Sequence, residues 1–226
     1  MNVPVVTIDG PSGSGKGTIS RAVAQSAGWH LLDSGALYRL VALAGARAGL
    51  DPNDVGAHSR LARAMNVAFQ SHPDGTERVL LEGSEVTAQL RSEAAGAGAS
   101  RVAAWPELRA ALLDRQRAFA QAPGLVADGR DMGTVVFPQA TLKIFLTASA
   151  EERARRRHKQ LKDKGSDVSL AALSREIAER DLRDSTRAVA PLKPAPDAEV
   201  IDSTALPIEA VVAEVLQIGR RRSLWP

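Results

Sequence analysis

The ten residues DGPSGSGKGT (9–18) constrain the fold of this chain more than any other stretch. They follow an apolar, β-branched run, VPVVTI (3–8), and lead into a helix-like run from Lys16 to about residue 26. Glycines at a strand-to-helix turn permit positive φ angles and remove the Cβ atoms that would keep an anion away from the backbone. Because the positive end of a helix follows, the stretch predicts a phosphate-binding loop.

Two side chains of this loop have predicted tasks. Lys16 supplies a full positive charge for the outer phosphates of a nucleoside triphosphate, and Thr18 supplies a hydroxyl suited to phosphate or to Mg²⁺. The ending GKGT is typical of nucleotide and nucleoside monophosphate kinases, whereas many ATPases and GTPases end in GKS or GKT. The alternative is a glycine-rich turn with an exposed lysine. The predicted triphosphate-binding residues are Gly10, Pro11, Ser12, Gly13, Ser14, Gly15, Lys16, Gly17 and Thr18.

Strand and helix signals alternate along most of the chain. After the first strand and helix come HLLD (30–33) and a helix from about Gly35 to Ala48, and three later apolar runs read as strands: GLVADG (124–129), TLKIFL (141–146) and EVIDS (199–203). Strands separated by helices predict an α/β fold with a five-stranded parallel sheet and helices on both faces. Between about residues 65 and 87 the pattern changes to short antiparallel strands, with turns at Asp74-Gly75 and Gly83, which predicts a small β insert.

Composition excludes several classes of protein. The 226 residues are 44% hydrophobic and 24% charged, as in soluble globular proteins, and no apolar run approaches the roughly 20 residues of a membrane span. The start of the chain lacks the pattern of a signal peptide, and the absence of cysteine excludes disulfides and thiolate metal sites. We therefore expect a cytoplasmic protein.

The net charge of +3 raises the question of nucleic-acid binding. The excess positive charge is confined to two short segments, 151–164 and 220–222. Aromatic residues make up only 4% of the chain, so the basic segments lack the stacking side chains that single-stranded nucleic acid needs. A nucleic-acid-binding regulator remains the alternative from a different class, and binding that survives about 0.2 M salt would favour it.

Three further segments predict sites for a second anion. In LLDSGALYR, Ser34 precedes a helix that it can cap, and Tyr38 and Arg39 follow one turn later. In ADGRDMGT, two acids flank an arginine just after a strand, and in EIAERDLRDSTR three charged residues share one helix face at i, i+4 and i+7. The alternatives are a capped helix with a surface arginine, a structural salt bridge and a solvated helix. The charged residues of the last two segments are Asp128, Arg130, Asp131, Arg180, Asp184 and Arg187.

The run EERARRRHKQLKDKG (151–165) is the strongest charge feature. Taken alone it is typical of a solvated helix. Because it follows the strand TLKIFL directly, we expect it to close as a lid over the phosphates. Arg153, Arg156 and Arg157 would then offer adjacent guanidinium groups to a transferring phosphoryl group.

These segments, in this order and over nearly the whole chain, resemble bacterial cytidylate (CMP/dCMP) kinases. The resemblance implies phosphoryl transfer from ATP to CMP or dCMP with Mg²⁺, held in part by Thr18. It implies a P-loop kinase fold acting as one unit, with a core at 1–61, 101–150 and 171–226, a monophosphate-binding insert at 62–100 and a lid at 151–170. We expect a monomer acting on small molecules, without nucleic acid or membrane. The nearest rivals are kinases of UMP, AMP or shikimate on the same fold.

The resemblance also implies roles for individual residues. Tyr38, Arg39, Arg130 and Arg187 would hold the phosphate of the acceptor, and Ser34 would line that pocket. Ser100, Arg109 and Asp131 would read cytosine, whereas Arg180 and Asp184 would contact the sugar. The residues predicted to bind the acceptor are Ser34, Tyr38, Arg39, Ser100, Arg109, Asp128, Gly129, Arg130, Asp131, Arg180, Asp184 and Arg187, and the predicted catalytic residues are Lys16, Arg153, Arg156 and Arg157.

Cytosine fits such a set on chemical grounds. It offers an amino donor beside two acceptors, so a carboxylate and an arginine complement its edge. Uracil would place an acceptor against the carboxylate, which costs about 1 to 3 kcal/mol and gives about ten- to hundredfold discrimination. A phosphate oxygen is already a nucleophile, so we expect no strong general base, and the four histidines lack the spacing of metal ligands.

Overall fold

The structure, a computed structural model, describes residues 3–71, 77–163, 165 and 168–225. The chain divides into a first unit, Met1–Asp33 with Arg117–Pro226, and a second unit, Ser34–Gln116. The predicted β insert at 62–100 falls within the second unit and the predicted lid at 151–170 within the first. The functional bounds of these lobes remain predictions. The predicted turn at Asp74-Gly75 lies outside the described residues.

The order of elements follows the predicted alternation. The strands are β1 Val5–Asp9, β2 His30–Asp33, β3 Val67–Ser71, β4 Glu77–Leu81, β5 Ser84–Glu85, β6 Leu125–Gly129, β7 Leu142–Thr147 and β8 Glu199–Asp202. The helices are α1 Lys16–Ala27, α2 Ser34–Arg47, α3 Val55–Ala64, α4 Thr87–Leu90, α5 Glu93–Val102, α6 Pro106–Arg117, α7 Ala150–Lys162, α8 Leu170–Thr186 and α9 Ile208–Arg221. A π-helical turn spans Met132–Val136.

The first unit contains the predicted five-stranded parallel sheet, with strand order β2-β6-β1-β7-β8. Its middle strand, β1, is buried along its whole length, which explains its continuous run of apolar and β-branched residues. In the register of the sheet Asp9 is opposite Gly129 of β6 and Phe145 of β7. The glycine loop after β1 and the ADGRD segment at the end of β6 therefore leave the sheet at the same edge.

Two helices cover one face of this sheet. Val6 and Ile8 of β1 contribute to a buried cluster with α1 and α9, and α9 places Val211, Val215 and Ile218 on a single stripe. Each fully buried side chain of this kind contributes about 1.5 to 3 kcal/mol. The spacing of the apolar residues in α1 and α9 therefore determines which face of each helix packs against the strands.

The second unit contains the predicted antiparallel β insert, with strand order β3-β4-β5. Glu82 (φ 50) and Gly83 (φ 78) form the tight turn between β4 and β5, in agreement with the predicted turn at Gly83. The small-residue segment SEAAGAGAS forms α5, which packs on α2. A Cβ atom at Gly98 would lie 2.8 Å from the Ala42 Cβ, so the small residues allow these two helices to approach closely.

Candidate active site

The glycine loop between β1 and α1 is fixed by close packing at its start and by a glycine cap at its end. Gly10 has a φ of +152°, and a Cβ atom there would lie 2.0 Å from the Leu146 carbonyl oxygen of β7. Gly15 is the N-cap of α1 in the left-handed conformation, and its carbonyl accepts from the amides of Thr18 and Ile19, both at 3.1 Å. The loop thus delivers the chain into a helix N-terminus, as a phosphate-binding loop requires.

Lys16 is buried within this loop, with a residue exposure of 6%. Its Nζ donates to the Pro11 carbonyl at 2.8 Å, and the Ser14 hydroxyl donates to the same oxygen at 3.0 Å. Burial lowers the pKa of the Lys16 ammonium, and the positive charge of Arg130 lowers it further, whereas the Asp128 carboxylate opposes both effects. An anion bound beside Lys16 would restore its charged form, which makes the loop a favourable site for phosphate.

Asp9 is a second buried charge at the loop. Its Oδ1 and Oδ2 accept from the backbone amides of Met132 and Gly133, both at 2.8 Å. Burial raises the pKa of the Asp9 carboxyl to about 7, although the two amide hydrogen bonds pull in the opposite direction. The carboxylate therefore ties the start of the loop to the π-helical turn that follows Asp131. Sequence reasoning missed this role, for which the only signal is a carboxylate at the end of a buried strand.

The structure brings the ADGRD segment and α8 together through ion pairs. Arg130 Nε lies 3.0 Å from Asp184 Oδ2, and Arg180 Nε lies 4.0 Å from the same oxygen. Arg187, the C-cap residue that follows α8, places Nη2 3.9 Å from Asp131 Oδ1. Asp131 and Asp184 are both buried. The two segments predicted to bind the acceptor thus form one charged cluster within the first unit.

Asp128 lies beside the first turn of α1. A Cβ atom at Gly17 would lie 3.4 Å from Asp128 Oδ2, and the next residue, Thr18, is exposed. Hydroxyl and carboxylate oxygens are ligands that Mg²⁺ prefers in proteins. Among the residues that the structure describes, no group of three or more histidines and acids could hold a metal ion. Thr18 and Asp128 could thus supply two oxygen ligands to a bound Mg²⁺.

The predicted lid arginines of α7 differ in their surroundings. Arg153 is buried, and its guanidinium donates to the Ser12 carbonyl at 3.0 Å. Arg156 is half-buried and donates to the Ser14 carbonyl at 3.4 Å. Arg157 is half-buried and donates to Gln160 at 3.3 Å. A catalytic role for Arg153 remains a prediction, but its contacts favour a role in holding the loop.

Arg156 also reaches a residue that the sequence analysis did not identify. Its Nη1 donates to the Ser203 hydroxyl at 3.1 Å, and that hydroxyl lies 3.2 Å from the Ser14 carbonyl. Ser203 is buried just after β8, a position whose only sequence signal is the end of a strand at the ligand edge of the sheet.

The second unit contains the remaining predicted residues. The Ser34 hydroxyl donates to Gln116 Oε1 at 2.8 Å in a buried contact, and α2 begins at Ser34 itself. Arg109 is buried with its guanidinium carbon 5.7 Å from the centre of the Tyr38 ring. Arg39 is half-buried. The Ser100 hydroxyl is buried and has no hydrogen-bond partner among the described residues, which leaves it available to a polar ligand.

Positive charge thus converges on a glycine loop at the carboxyl edge of a parallel sheet, the arrangement of a P-loop phosphotransferase. The family model for cytidylate kinase matches residues 6–221. The chain is 61% identical to the cytidylate kinase of Pseudomonas paraeruginosa over 215 residues, which cover 95% of this chain and 94% of that protein. Identity to the cytidylate kinase of Stutzerimonas stutzeri is 61% over 223 residues, or 98% and 97% of the two chains. The chain belongs to the cytidylate kinase family.

Solved structures that align with the chain are more remote. A gluconokinase from Sinorhizobium meliloti aligns with a TM-score of 0.48 and 18% identity, covering 96% of this chain and 92% of that chain. A shikimate kinase from Acinetobacter baumannii aligns with a TM-score of 0.44 and 15% identity over the same shares. Within the described ranges, no helix is long and apolar enough to span a membrane.

Proposed function

We propose that the chain transfers the γ-phosphoryl group of ATP to CMP or dCMP, giving ADP and CDP or dCDP. The observation that carries the proposal is the cluster that Arg130 and Arg187 form with the buried carboxylates of Asp131 and Asp184, in the same unit as the glycine loop. Burying charges is costly even when they are paired, so a cluster of this kind is typical of a site that binds a ligand. A cytidine nucleotide as acceptor offers a phosphate to the cations and the amino group of its base to a carboxylate.

For the donor, we assign Gly10 to Thr18 to the ATP phosphates. The amides of the loop and the N-terminus of α1 would bind phosphate oxygens, and Lys16 would add a full positive charge from a buried position. We assign Mg²⁺ to Thr18, with Asp128 nearby. When bound, Mg²⁺ would neutralise charge that develops on the phosphates.

For the acceptor, we assign Arg130 and Arg187 to its phosphate, and Arg180 and Asp184 to its sugar. These roles follow the family resemblance. They are consistent with the pairing of each arginine with a carboxylate, which holds the guanidinium in one orientation before the nucleotide binds. Asp128 and Gly129, at the end of β6, would line the same edge of the sheet.

Residues of the second unit have proposed roles of their own. We assign Tyr38 and Arg39 to the acceptor's phosphate, whereas Ser34 would line its pocket through its position at the start of α2, since its hydroxyl binds Gln116. We assign Ser100 and Arg109, with Asp131 of the first unit, to cytosine. The buried Ser100 hydroxyl without a partner supports this role, because such a group costs about 1 to 3 kcal/mol until a ligand binds it.

The chemical step needs no strong general base. An acceptor phosphate oxygen is itself the nucleophile, so the protein has to align it and stabilise charge on the transferring group. Lys16 is proposed to bind the outer phosphates, and Arg156 and Arg157 are proposed, as the family resemblance implies, to approach the transferring group. Arg153 would act on the loop backbone.

A coupled assay that follows ADP release tests the proposal. With Mg²⁺ and ATP, turnover (kcat/KM) on CMP and dCMP should exceed turnover on UMP and AMP by at least about tenfold, as one unpaired polar group predicts. Chelation of Mg²⁺ should abolish activity, and added MgCl₂ should restore it. Equal turnover on UMP or AMP would contradict the assigned base specificity, and no CDP from CMP would contradict the function.

A monomer in the cytoplasm, independent of nucleic acid and membrane, remains a prediction from the sequence. Light scattering of the purified chain and cell fractionation would test it.

A further inference from the structure

We propose that Asp181 is a positioning residue that acts through Arg153 to hold the phosphate loop in its binding conformation. This inference rests on the proposed ATP site. Asp181 Oδ1 and Oδ2 accept from Arg153 Nη1 at 3.0 Å and Nη2 at 2.5 Å, a bidentate ion pair. The same Nη1 donates to the Ser12 carbonyl of the loop at 3.0 Å. One carboxylate of α8 is thus linked through a single guanidinium to the loop backbone.

Hydrogen bonds hold the Arg153 guanidinium in one position. Its side chain is 5% exposed, and its Nε donates to the Ala148 carbonyl at 3.0 Å. Four N–H donors of the fork are therefore engaged by Ala148, Ser12 and Asp181. Asp181 is the only one of these partners with a charge. Without it, a buried guanidinium would keep two carbonyl contacts and no counterion, and its orientation would no longer be fixed by a planar pair.

The loop lies directly against the helix that carries this arginine. A Cβ atom at Gly13 would lie 3.1 Å from Arg153 Cβ and 3.3 Å from the Arg153 carbonyl oxygen. Gly13 therefore lets the loop backbone approach the backbone of Arg153 closely, which places the loop next to the residue that Asp181 holds.

The contact with the Ser12 carbonyl also sets the direction of an amide. The peptide between Ser12 and Gly13 is planar and trans, so a carbonyl that points at Arg153 directs the Gly13 N–H away from Arg153. Arg156 and Ser203 bind the Ser14 carbonyl, which in the same way orients the Gly15 N–H. These hydrogen bonds thus hold the two carbonyls on the side of α7 and direct the two amides away from it, where the donor phosphates could accept from them.

Asp181 lies on the helix that also carries the proposed acceptor residues, which makes its role separable from theirs. Arg180 and Asp184 of α8 interact with each other, and Asp184 also pairs with Arg130. Asp181 instead pairs with Arg153 of α7. Although α8 is assigned to the acceptor, the effect of Asp181 should therefore fall on the donor.

The test is the Asp181→Asn variant, with Glu179→Gln, an exposed acid on the same helix, as the matched control. Calorimetry should show ADP affinity, without acceptor, weakened about tenfold in Asp181→Asn, because a charge-assisted pair is lost. With saturating ATP, kcat should fall about tenfold while the KM for CMP changes less than threefold. Asp181→Glu, which keeps the carboxylate, should recover ADP affinity to within about threefold of wild type. Glu179→Gln should match wild type throughout.

A double-mutant cycle identifies the route. If Asp181 acts through Arg153, Asp181→Asn should change ADP affinity less than twofold when added to Arg153→Met. Unchanged ADP affinity in a folded Asp181→Asn protein, or a tenfold rise in the KM for CMP alone, would overturn the inference. A further tenfold loss in the Arg153→Met background would do the same. Since ADP binding is measured without acceptor, failure of the wild type to phosphorylate CMP would count against the proposed function only.

Discussion

Replacing Lys16 by methionine should reduce activity strongly without destabilising the free protein. Methionine keeps the unbranched shape of the side chain and removes its charge. Two unit charges 4 Å apart interact by about 1 kcal/mol in water, but by about 4 kcal/mol at an effective dielectric constant of 20. Because Lys16 has a residue exposure of only 6%, the larger value applies. We expect kcat/KM for ATP to fall about 10³-fold.

The effect on stability should have the opposite sign. Burial lowers the pKa of Lys16 below its ordinary value of 10.5, so the folded state binds fewer protons than the unfolded state between the two pKa values. The stability of the wild type therefore rises with pH across that window, and the penalty is largest below it. Methionine removes the penalty. The variant should unfold no more easily than wild type at pH 7, and its advantage should shrink as the pH approaches 10.5.

ADP release and urea unfolding test the two halves of this prediction separately. Lys193→Met, at an exposed position, is the matched control and should match wild type in both. The Pro11 carbonyl keeps the Ser14 hydroxyl as a donor in the Lys16 variant. If Lys16→Met retained more than about a tenth of the wild-type kcat/KM, the charge argument would be wrong. A loss of more than about 2 kcal/mol of stability at pH 7 would show that Lys16 is mainly structural.

Three further predictions test other parts of the site. Asp131→Asn should lower kcat/KM for CMP by about ten- to hundredfold with little change in ATP affinity, and equal losses in both would refute the base-reading role. Gly10→Ala should lower the free energy of urea unfolding by more than about 3 kcal/mol, since the added Cβ would lie 2.0 Å from a backbone oxygen. Gly17→Ala should lower it far less, because its Cβ would lie 3.4 Å from the nearest atom, Asp128 Oδ2. The raised pKa of Asp9 means that wild type should lose stability relative to Asp9→Asn as pH rises from about 4 to about 7, and parallel stability curves from pH 5 to 8 would contradict this.

The parts of the fold and site that were predictable depend on local pattern. Each strand of the parallel sheet is a short apolar run, and the loop is recognisable because strand, glycines and helix are contiguous. The ion pair of Arg130 with Asp184 was not predictable in this way, because Arg130 follows β6 whereas Asp184 lies within α8, and only the family resemblance assigned both to the acceptor. The sequence does not specify partners where several similar charges compete. In the run 151–165 every arginine resembles the next, and only the structure shows that Arg153 faces inward with Ala154.

Asp181 was missed for a related reason. It lies one residue from Arg180 and therefore off the i, i+4, i+7 face that drew attention to α8, and its partner is 28 residues earlier in the chain. The contact of Ser34 with Gln116 shows the same limit. The Ser34 hydroxyl donates to the buried side-chain oxygen of Gln116, 82 residues away, and no local sequence pattern indicates that partner. Contacts between residues far apart in the sequence therefore escaped prediction in both cases.

The two buried charges at the loop show why stability and activity make different demands on this site. Burial favours the neutral forms of both Asp9 and Lys16, so neither charge contributes much to the free fold. Both side chains nevertheless bind backbone, Lys16 at the Pro11 carbonyl and Asp9 at the amides of Met132 and Gly133. These contacts set the shape of the loop before a nucleotide binds. Catalysis by preorganised charge requires the charged groups to be in position before the reaction begins. The Asp128 carboxylate offsets part of the cost of holding an ammonium in this poorly solvated loop, and a phosphate bound beside Lys16 would offset more of it.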